Sequence, residues 1–347
     1  MTYVIVYLLL LIAGLSRGKG TEGTILWLSL AFLLFFMGGR MDVGCDFQTY
    51  AQRFRYTPTK IDWNTFWSQT EPFWEMLNIL VRRAGLDFMW LNYAASAIML
   101  AGYVRFVRIL PNPVLLLALL FPIMLVQLGM SGVRQGIAVG LLLSGAVDFT
   151  KGRRIVTAGW IVLAAQFHSS AVVFLPIALL AQSRVNTVRL LVAVAVATPA
   201  IAVLLGERME VYQDRYIDDV YGEMTSNGAV IRYILAIFPC LLFVWYRERM
   251  RAVAGTSYNL LYTMAIVAAS ISVTGVVNLV ILHRMTFYVM PFAMAMWIFL
   301  LQDWPFEGTK KVVRFVPGAI IGGYLVFWLT LSRHADLCFT PYQNYAL

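Results

Sequence analysis

Charged residues are scarce in this sequence. Asp, Glu, Lys and Arg make up 13% of its 347 residues, about half the share found in soluble domains. Hydrophobic residues account for 60%, and the mean hydropathy is +0.73. No polar stretch is long enough to form one of the soluble domains that this length would otherwise predict. The composition therefore excludes an ordinary soluble protein and predicts a polytopic membrane protein.

Cysteine and metal-binding motifs are also sparse. The three cysteines, Cys45, Cys240 and Cys338, form no CxxC pair and show no zinc spacing. The sequence has no HExxH motif and no glycine-rich loop of the kind that holds the phosphates of a nucleotide. We therefore predict no metal and no cofactor, and the sequence leaves open whether Cys45 and Cys338 pair.

Basic residues exceed acidic ones, and the net charge is +9. Such an excess can indicate nucleic-acid binding, but this chain has no soluble basic domain for that role. In membrane proteins, Lys and Arg accumulate in the cytoplasmic loops. We therefore expect the charge to reflect insertion in a lipid bilayer, and we expect no nucleic-acid partner.

Apolar runs close to bilayer-spanning length recur along the whole chain. They predict one all-α integral membrane domain over residues 1–347, with about 12 transmembrane segments, some of them short or re-entrant. The predicted segments are 3–16, 24–38, 88–108, 113–128, 133–149, 155–167, 170–182, 190–205, 229–246, 257–280, 285–301 and 313–331.

Six basic connections predict the orientation of the chain. They are RGK (17–19), RFVR (105–108), KGRR (151–154), RVNTVR (184–189), RERMR (247–251) and KKVVR (310–314). All six become cytoplasmic if the N-terminus is outside and the apolar run 155–182 folds as a hairpin at His168. The cytoplasmic regions then carry 15 Lys and Arg against 5 Asp and Glu, and the exterior regions carry 12 against 13. This distribution follows the positive-inside rule.

The stretch LAAQFHSSAVVFLP (163–176) places polar residues at the tip of this hairpin. Each arm has about 13 residues, or roughly 20 Å of helix, which is shorter than the ~30 Å hydrocarbon core. Polar backbone at that depth must be covered by protein or line a wet cavity. We therefore expect His168 in a recessed cavity that faces the exterior, with Ser169 and Ser170 capping the second arm.

Two longer connections are predicted on the exterior side. Residues 39–87 include an amphipathic helix with Phe73, Leu77, Leu80 and Val81 on one face. The tryptophans of this region indicate that the helix lies at the membrane interface. Residues 206–228 form the second connection, which is acidic and rich in tyrosine.

Ionisable residues at membrane depth are candidates for function because their burial is costly. In the predicted topology they gather on the exterior side, as Arg40, Asp46, Glu71, Arg134, His168, His283 and Arg284. Arginine binds phosphate oxygens in a fixed fork, whereas carboxylates and histidine suit proton transfer or the binding of sugar hydroxyls. This combination suggests a lipid-linked diphosphate that carries a sugar.

Five short motifs carry a resemblance to a known family. They are RMDVGCDFQTY (40–50), TEPFWEML (70–77), VRQGIA (133–138), FHSSA (167–171) and RMTFY (284–288). With these motifs in this order, the chain resembles the EpsG-like branch of the Wzy-type polysaccharide polymerases over about residues 38–290.

The resemblance implies a glycosyltransferase of the bacterial inner membrane whose active site faces the periplasm or exterior. The implied fold is similar to that of the C-type glycosyltransferases. Polyprenyl-diphosphate-linked oligosaccharides would serve as both donor and acceptor, and polyprenyl diphosphate would be the leaving group. A chain-length regulator is left open as a further partner.

Roles for individual residues follow from the motifs and from side-chain chemistry. His168 is the expected base, and Asp46 and Glu71 are expected to bind acceptor hydroxyls as the other catalytic residues. The expected diphosphate-binding residues are Arg134, Arg284, Arg40 and His283. The expected substrate-binding residues are Tyr50, Gln135 and Tyr288.

Four other functions stay open at this point. An O-antigen ligase would perform the same chemistry on a different acceptor, as would another polyprenyl-phosphate-sugar-dependent glycosyltransferase. A transporter would place its charges near the membrane midplane, and a flippase would line both halves of its cavity with charge. The charges here are biased to one side, which favours an enzyme.

Overall fold

The computed structural model describes residues 1–16, 21–181, 224–277 and 279–346, and these ranges contain no β-strand. The helices are α1 (Thr2–Leu15), α2 (Glu22–Gly38), α3 (Phe47–Tyr56), α4 (Trp63–Phe66), α5 (Pro72–Arg83), α6 (Phe88–Val107), α7 (Pro113–Leu120), α8 (Val133–Thr150), α9 (Arg154–Ala165), α10 (Leu175–Ala178), α11 (Met224–Trp245), α12 (Arg247–Ala254), α13 (Tyr258–Val277), α14 (Leu279–Gln302), α15 (Lys310–Val313), α16 (Val316–Leu331) and α17 (Arg333–Phe339). A π-helical segment, Phe121–Leu128, continues α7, and the 3₁₀ segments are Ser169–Phe174, Gly255–Ser257 and Glu307–Thr309.

Four helical segments are long and apolar enough to cross a membrane. They are Gly228–Trp245, Arg247–Ser272, Leu279–Gln302 and Glu307–Leu331, and five shorter apolar helices accompany them in the described part of the chain. The all-α fold is therefore confirmed, and the count of about 12 membrane segments stays a prediction. The predicted segment 190–205 and residues 206–223 of the second exterior connection lie outside the described residues.

Local sequence signals explain where several helices begin. Asp87 accepts a hydrogen bond from the Met89 N–H at the start of α6, and Asn112 accepts one from the Leu115 N–H at the start of α7. Both are side-chain caps of the kind that satisfies the first N–H groups of a helix. Pro113 occupies the first turn of α7, where its missing N–H costs nothing.

The chain divides into two compact units. Unit 1 contains Met1–Val147, Trp160–Ala171 and Phe306–Leu347, and unit 2 contains Asp148–Gly159 and Val172–Pro305.

In unit 1, α6 and α8 cross with almost no space between their backbones. A Cβ atom placed on Gly102 would lie 1.8 Å from the carbonyl oxygen of Gly140. Small residues at such a crossing let two helices approach closely within a membrane protein. The crossing fixes the position of α8, whose first turn carries Arg134.

A disulfide bond between Cys45 and Cys338 also belongs to unit 1. It links the connection after α2 to α17, and the two Cα atoms lie 4.8 Å apart, within the usual range for a disulfide. The third cysteine, Cys240, is reduced and buried in unit 2.

In unit 2, α11, α13 and α14 pack against one another. In helix α14, every residue from Met285 to Leu300 is buried, and nearly all of them are apolar, as expected for a helix at the centre of a bundle. The hydroxyl of Tyr233 on α11 donates to the Ala268 carbonyl of α13 at 3.1 Å.

The exterior helix predicted in region 39–87 is present as α5, but its buried side differs from the predicted stripe. Leu80 is half exposed, whereas Trp74, outside the stripe, is buried. The indole of Trp74 packs against the Tyr50 ring at 5.4 Å. The side chain of Asn78 donates to the Trp74 carbonyl at 2.7 Å, so a polar residue can occupy the buried side.

The apolar run 155–182 is interrupted at the predicted place. Helix α9 ends at Ala165, and the chain resumes as the 3₁₀ segment Ser169–Phe174. The break is confirmed, whereas the described part of the second arm, up to residue 181, is a 3₁₀ segment followed by the short α10 and not one continuous helix.

The predicted orientation can be tested by cysteine labelling in intact cells. In a Cys240→Ser background, Lys60→Cys should react with a membrane-impermeant maleimide because region 39–87 is predicted outside. Lys151→Cys and Gly308→Cys should resist the reagent until the cells are permeabilised. All three positions are exposed on the protein, so protection reports the membrane and not burial. Labelling of Lys151→Cys in intact cells would show that the predicted orientation is inverted.

Candidate functional site

Four polar side chains from distant parts of the chain meet in unit 1. Tyr50 comes from α3, Glu71 from the residue before α5, Arg134 from the first turn of α8, and His168 from the break after α9. We call this group the Glu71 cluster. It brings together four of the ten site residues predicted from the sequence.

The backbone around Glu71 explains why its side chain reaches the break after α9. Glu71 is the N-cap of α5, and Pro72 follows in the first turn. The Phe73 N–H, which has no partner within its own helix, donates to the Gln166 carbonyl at 3.2 Å. The rings of Phe73 and Phe167 pack with their centroids 6.2 Å apart. An N–H at the start of α5 and a carbonyl just after the end of α9 are therefore hydrogen-bond partners.

Glu71 is the centre of the hydrogen bonds in this cluster. Its Oε1 accepts from His168 Nδ1 at 2.8 Å and from the Ser169 N–H at 3.4 Å. Its Oε2 forms an ion pair with Nη1 of Arg134. The Glu71 side chain is 8% exposed, so these partners replace most of the water around the carboxylate.

The partners of Glu71 keep it ionised. Burial alone would raise the pKa of this carboxyl, but the hydrogen bond and charge of His168, the charge of Arg134 and the Ser169 N–H lower it more, to about 2. Glu71 therefore carries a negative charge at neutral pH and accepts hydrogen bonds without donating any.

An ionised Glu71 determines which nitrogen of His168 carries a proton. Because the carboxylate only accepts, Nδ1 of His168 must donate to it, and a proton exchanged with another molecule must pass through Nε2. The backbone holds the ring in place, since the His168 N–H donates to the Ala164 carbonyl at 3.0 Å. A histidine held this way by a carboxylate is suited to act as a base.

Arg134 is the most exposed member of the cluster, at 30% of its side-chain surface. Its Nε donates weakly to the Tyr50 hydroxyl at 3.4 Å, and its Cζ lies 5.7 Å from the centre of the Tyr50 ring. Among the residues that the structure describes, Nη2 of Arg134 has no hydrogen-bond partner. Burial raises the pKa of Tyr50 more than the charge of Arg134 lowers it, so the phenol stays neutral.

Asp46 and Gln135 lie next to the cluster along the chain. The Tyr50 N–H donates to the Asp46 carbonyl at 3.0 Å, which places Asp46 one helical turn before Tyr50. Asp46 is partly exposed, and Gln135, which follows Arg134, is buried. Their predicted roles in binding acceptor and substrate stay predictions.

Arg40 makes its hydrogen bonds outside the cluster. Its guanidinium donates to the Met37 carbonyl at 2.5 Å, the Val43 carbonyl at 3.2 Å and the Asn92 side chain at 2.9 Å. Its exposure is 1%. The Met37 carbonyl belongs to the last turn of α2, where carbonyls lack helical partners. This geometry favours a structural role for Arg40 over the predicted binding of diphosphate.

A second group of basic side chains lies in unit 2. Nη2 of Arg232 on α11 donates to Nδ1 of His283 on α14 at 2.8 Å. The Arg232 guanidinium also lies 5.9 Å from the ring centre of Phe287. Arg284 follows His283 directly, whereas Tyr288 is buried with its ring 5.0 Å from Phe174.

Arg232 was missed by the sequence reasoning, although a signal for it was present. It interrupts the apolar run of the predicted segment 229–246, and an arginine inside a membrane segment is a functional candidate by default. Because Arg232 donates to Nδ1 of His283, a neutral His283 ring carries its proton on Nε2 and can donate only from that nitrogen.

The structure describes one group of residues with metal-ligand chemistry. The ligand atoms of Cys45, His334 and Cys338 lie within 4.8 Å of one another. Both cysteines are held in the disulfide, however, and metal binding by cysteine needs the thiolate. The disulfide and a metal ion therefore exclude each other at this place.

The depressed pKa of Glu71 gives a prediction for stability. The folded-state value of about 2 lies below the ordinary value of 4.5, so the ionised carboxylate stabilises the fold fully above about pH 4.5, and this contribution is lost as the pH falls toward 2. The shift corresponds to on the order of 3 kcal/mol. Glu71→Gln should therefore lower the melting temperature in detergent at pH 7, and the difference from wild type should shrink between pH 4.5 and pH 3.

Glu75, which pairs with the half-exposed Arg53, provides the matched control. Glu75→Gln should change the melting temperature little at any pH, since exposed pairs contribute about 0–1 kcal/mol. A Glu71→Gln protein as stable as wild type at pH 7 would contradict the proposed hydrogen-bond centre.

Comparison with known proteins agrees with the family suggested by the motifs. No curated protein and no solved structure matches this chain. The EpsG family profile matches residues 24–344, nearly the whole chain. This range includes all four members of the Glu71 cluster as well as Arg232, His283 and Arg284. The chain therefore belongs to the EpsG family.

Proposed function

We propose that this protein is a polysaccharide polymerase. It joins oligosaccharide repeat units that are carried on polyprenyl diphosphate, and it does so on the exterior face of the bacterial plasma membrane. The growing chain passes from its lipid carrier to a hydroxyl of the next lipid-linked repeat unit, and polyprenyl diphosphate leaves.

The observation that carries the proposal is the Glu71 cluster within a chain of the EpsG family. It combines a histidine oriented by an ionised carboxylate with an arginine that is partly exposed. Glycosyl transfer from a diphosphate needs these two functions: a base for the acceptor hydroxyl and a cation for the departing diphosphate.

His168 is proposed to take the proton of the acceptor hydroxyl at Nε2. The hydroxyl oxygen then attacks the anomeric carbon of the donor, and the bond from that carbon to the diphosphate oxygen breaks with its electron pair. Glu71 stabilises the imidazolium that forms, because its carboxylate already accepts from Nδ1 at 2.8 Å. In this assignment Glu71 positions the base, and it does not itself bind the acceptor.

Arg134 is proposed to bind the diphosphate. Nη1 is engaged by Glu71 and Nε by Tyr50, and Nη2 is the nitrogen proposed to donate to the diphosphate oxygens. With neutral His168, the charges of Glu71 and Arg134 cancel. When His168 takes the proton, the cluster gains one positive charge while negative charge develops on the leaving group. The cluster therefore stabilises the transition state more than the ground state, as catalysis requires.

Two observations support an exterior location for this chemistry. Basic residues concentrate in the connections predicted to be cytoplasmic, and none of the four cluster residues lies in those connections. The Cys45–Cys338 disulfide lies in the same unit as the cluster, and disulfides persist in oxidising compartments outside the cytoplasm. The second observation is independent of the charge distribution.

The second basic group, Arg232, His283 and Arg284, is proposed to bind a phosphate of a lipid-linked substrate within unit 2. Arginine forks match phosphate oxygens, and the Nε2–H of His283 can donate to the same kind of acceptor. We extend the sequence-based assignment of His283 and Arg284 to Arg232 because of its hydrogen bond to His283.

A reaction with defined substrate tests the proposed function. Purified protein in bilayers is incubated with a labelled oligosaccharide on polyprenyl diphosphate, and the products are resolved by gel. A polymerase produces a ladder at repeat-unit spacing, and Arg134→Ala produces none. A parallel reaction also contains a lipid A-linked acceptor, and consumption of that acceptor without any ladder would show a ligase. A labelled substrate that stays unchanged in both reactions would contradict both activities.

Substitution of Arg134 by lysine separates charge from geometry. Lysine keeps the positive charge beside Glu71 but lacks the planar fork that matches phosphate. We expect Arg134→Lys to fold normally and to lower the rate of ladder formation at least 10-fold, and Arg284→Lys is expected to do the same. The half-exposed Arg53 supplies the control, and Arg53→Lys should retain activity. Wild-type rates of ladder formation in both Arg134→Lys and Arg284→Lys would contradict phosphate binding by these residues and would indicate a structural role.

Two substitutions of His168 separate proton transfer from hydrogen bonding. Glutamine can still donate to Glu71, but neither alanine nor glutamine can take a proton. We expect both variants to bind the donor lipid and to lose about 10²–10⁴-fold in turnover, the usual contribution of a general base. Full turnover of His168→Gln across pH 6–8 would show that hydrogen bonding suffices, and the base would then be Asp46.

A further inference from the structure

The C-terminal segment, Arg333–Ala346, pairs with the connection between α2 and α3. The Met41 N–H donates to the Gln343 carbonyl at 2.9 Å, and the Tyr345 N–H donates to the Gly39 carbonyl at 2.8 Å. Nearer to α3, the Gly44 N–H donates to the Cys338 carbonyl at 2.7 Å. Backbone groups about 300 residues apart along the chain are therefore each other's hydrogen-bond partners.

Side chains anchor the same segment on α2. The Tyr342 ring stacks on Phe36 at 4.3 Å, and its hydroxyl donates to the Phe36 carbonyl at 2.9 Å. The Asn344 amide donates to the Phe35 carbonyl at 3.3 Å. The C-terminal segment thus donates hydrogen bonds to carbonyls of the last turn of α2, including that of Phe35, which also accepts from the Gly39 N–H at 2.9 Å.

The disulfide adds a covalent bond at the point where this connection enters α3. Cys45 directly precedes Asp46, the N-cap of α3, and Tyr50 lies on the first turn of that helix. Nδ1 of His334 lies 3.3 Å from the sulfur of Cys45. The C-terminal segment is therefore bonded five residues before a member of the Glu71 cluster.

The same connection also contacts the chain that leads into α8. Gly44 has φ +106°, and a Cβ atom there would lie 2.0 Å from the Met130 carbonyl oxygen. Met130 comes four residues before Arg134. The connection is therefore held between the C-terminal segment on one side and the start of α8 on the other, and it continues into Tyr50, whose ring and hydroxyl contact Arg134.

We propose that the Cys45–Cys338 disulfide is a positioning element of the active site. It holds the start of α3 so that Tyr50 keeps Arg134 in its orientation toward the diphosphate, a role that rests on the proposed function. The bond forms by thiol–disulfide exchange with a disulfide oxidant of the exterior compartment. Two cysteine thiols are oxidised, one oxidant disulfide is reduced to two thiols, and the two thiol protons pass to those products.

Alkylation and mass spectrometry test whether the bond exists in the protein as purified. Without reduction, the denatured chain should take up one alkyl group, at Cys240, and after reduction it should take up three. Uptake of three groups without reduction would overturn the proposal. Stoichiometric zinc in that fully alkylatable protein would show that Cys45, His334 and Cys338 hold a metal instead.

Hydrogen–deuterium exchange tests the positioning without any activity measurement. Mild reduction should speed backbone exchange in Phe47–Tyr56, while exchange in the buried helix Leu279–Gln302 of unit 2 stays unchanged. Reoxidation should restore the original rate. Unchanged exchange in Phe47–Tyr56 would overturn the positioning role even if the bond is present, and it would leave the polymerase proposal intact.

Kinetics test whether the bond acts through Tyr50. Cys45→Ser, Cys338→Ser and the double variant should each lower kcat about 10-fold and by the same factor, since all three remove one bond. In a Tyr50→Leu background the same substitutions should have little further effect. Cys240→Ser should behave as wild type.

The kinetic outcomes separate this inference from the proposed function. Full activity of the Cys45→Ser/Cys338→Ser double variant would contradict the inference. So would an equally large loss of kcat when the cysteine substitutions are made in the Tyr50→Leu background. Neither result would contradict polymerisation by the wild-type protein. A wild-type protein that forms no ladder would contradict the proposed function, and the exchange measurement would still decide the positioning role.

Discussion

The structure of unit 1 depends on one buried carboxylate. Glu71 pairs with Arg134 and His168 while 8% of its side chain is exposed. Ion pairs in such surroundings are stable only when both charges are present, because removal of one partner leaves an uncompensated buried charge at a cost of about 3–5 kcal/mol. The segments that carry Arg134 and His168 must therefore lie beside Glu71 for its buried charge to be compensated.

The surrounding fold supplies those segments from rigid elements. The glycine crossing of α6 and α8 fixes Arg134, the interruption of α9 at Ala165 presents His168, and Pro72 begins the helix that follows Glu71. A histidine and an arginine that share one carboxylate can act in concert, since proton uptake by the histidine changes the net charge beside the arginine. This coupling relates the architecture to glycosyl transfer from a diphosphate.

The sequence predicts local features of this protein better than distant contacts. Apolar runs, capping residues and prolines are encoded locally, so α6, α7 and the break near His168 lie close to their predicted positions. The pairing of Glu71 with His168 joins residues 97 positions apart, and periodicity carries no information about it. The predicted roles of Glu71 and Arg40 came from the motifs and from side-chain chemistry, which cannot distinguish an acceptor-binding carboxylate from one that orients a base. Arg232 carried a local signal, an arginine in an apolar run, but its hydrogen bond to His283 required the fold.

The tautomer of His168 tests the central claim most directly. The chain has three histidines, so nitrogen NMR of histidine-labelled protein in detergent gives three ring systems, and the His168→Gln variant identifies the signals of His168. If Glu71 orients the ring, neutral His168 carries its proton on Nδ1, and Glu71→Gln removes this preference. Neutral His168 found with its proton on Nε2, or with signals that Glu71→Gln leaves unchanged, would contradict the account.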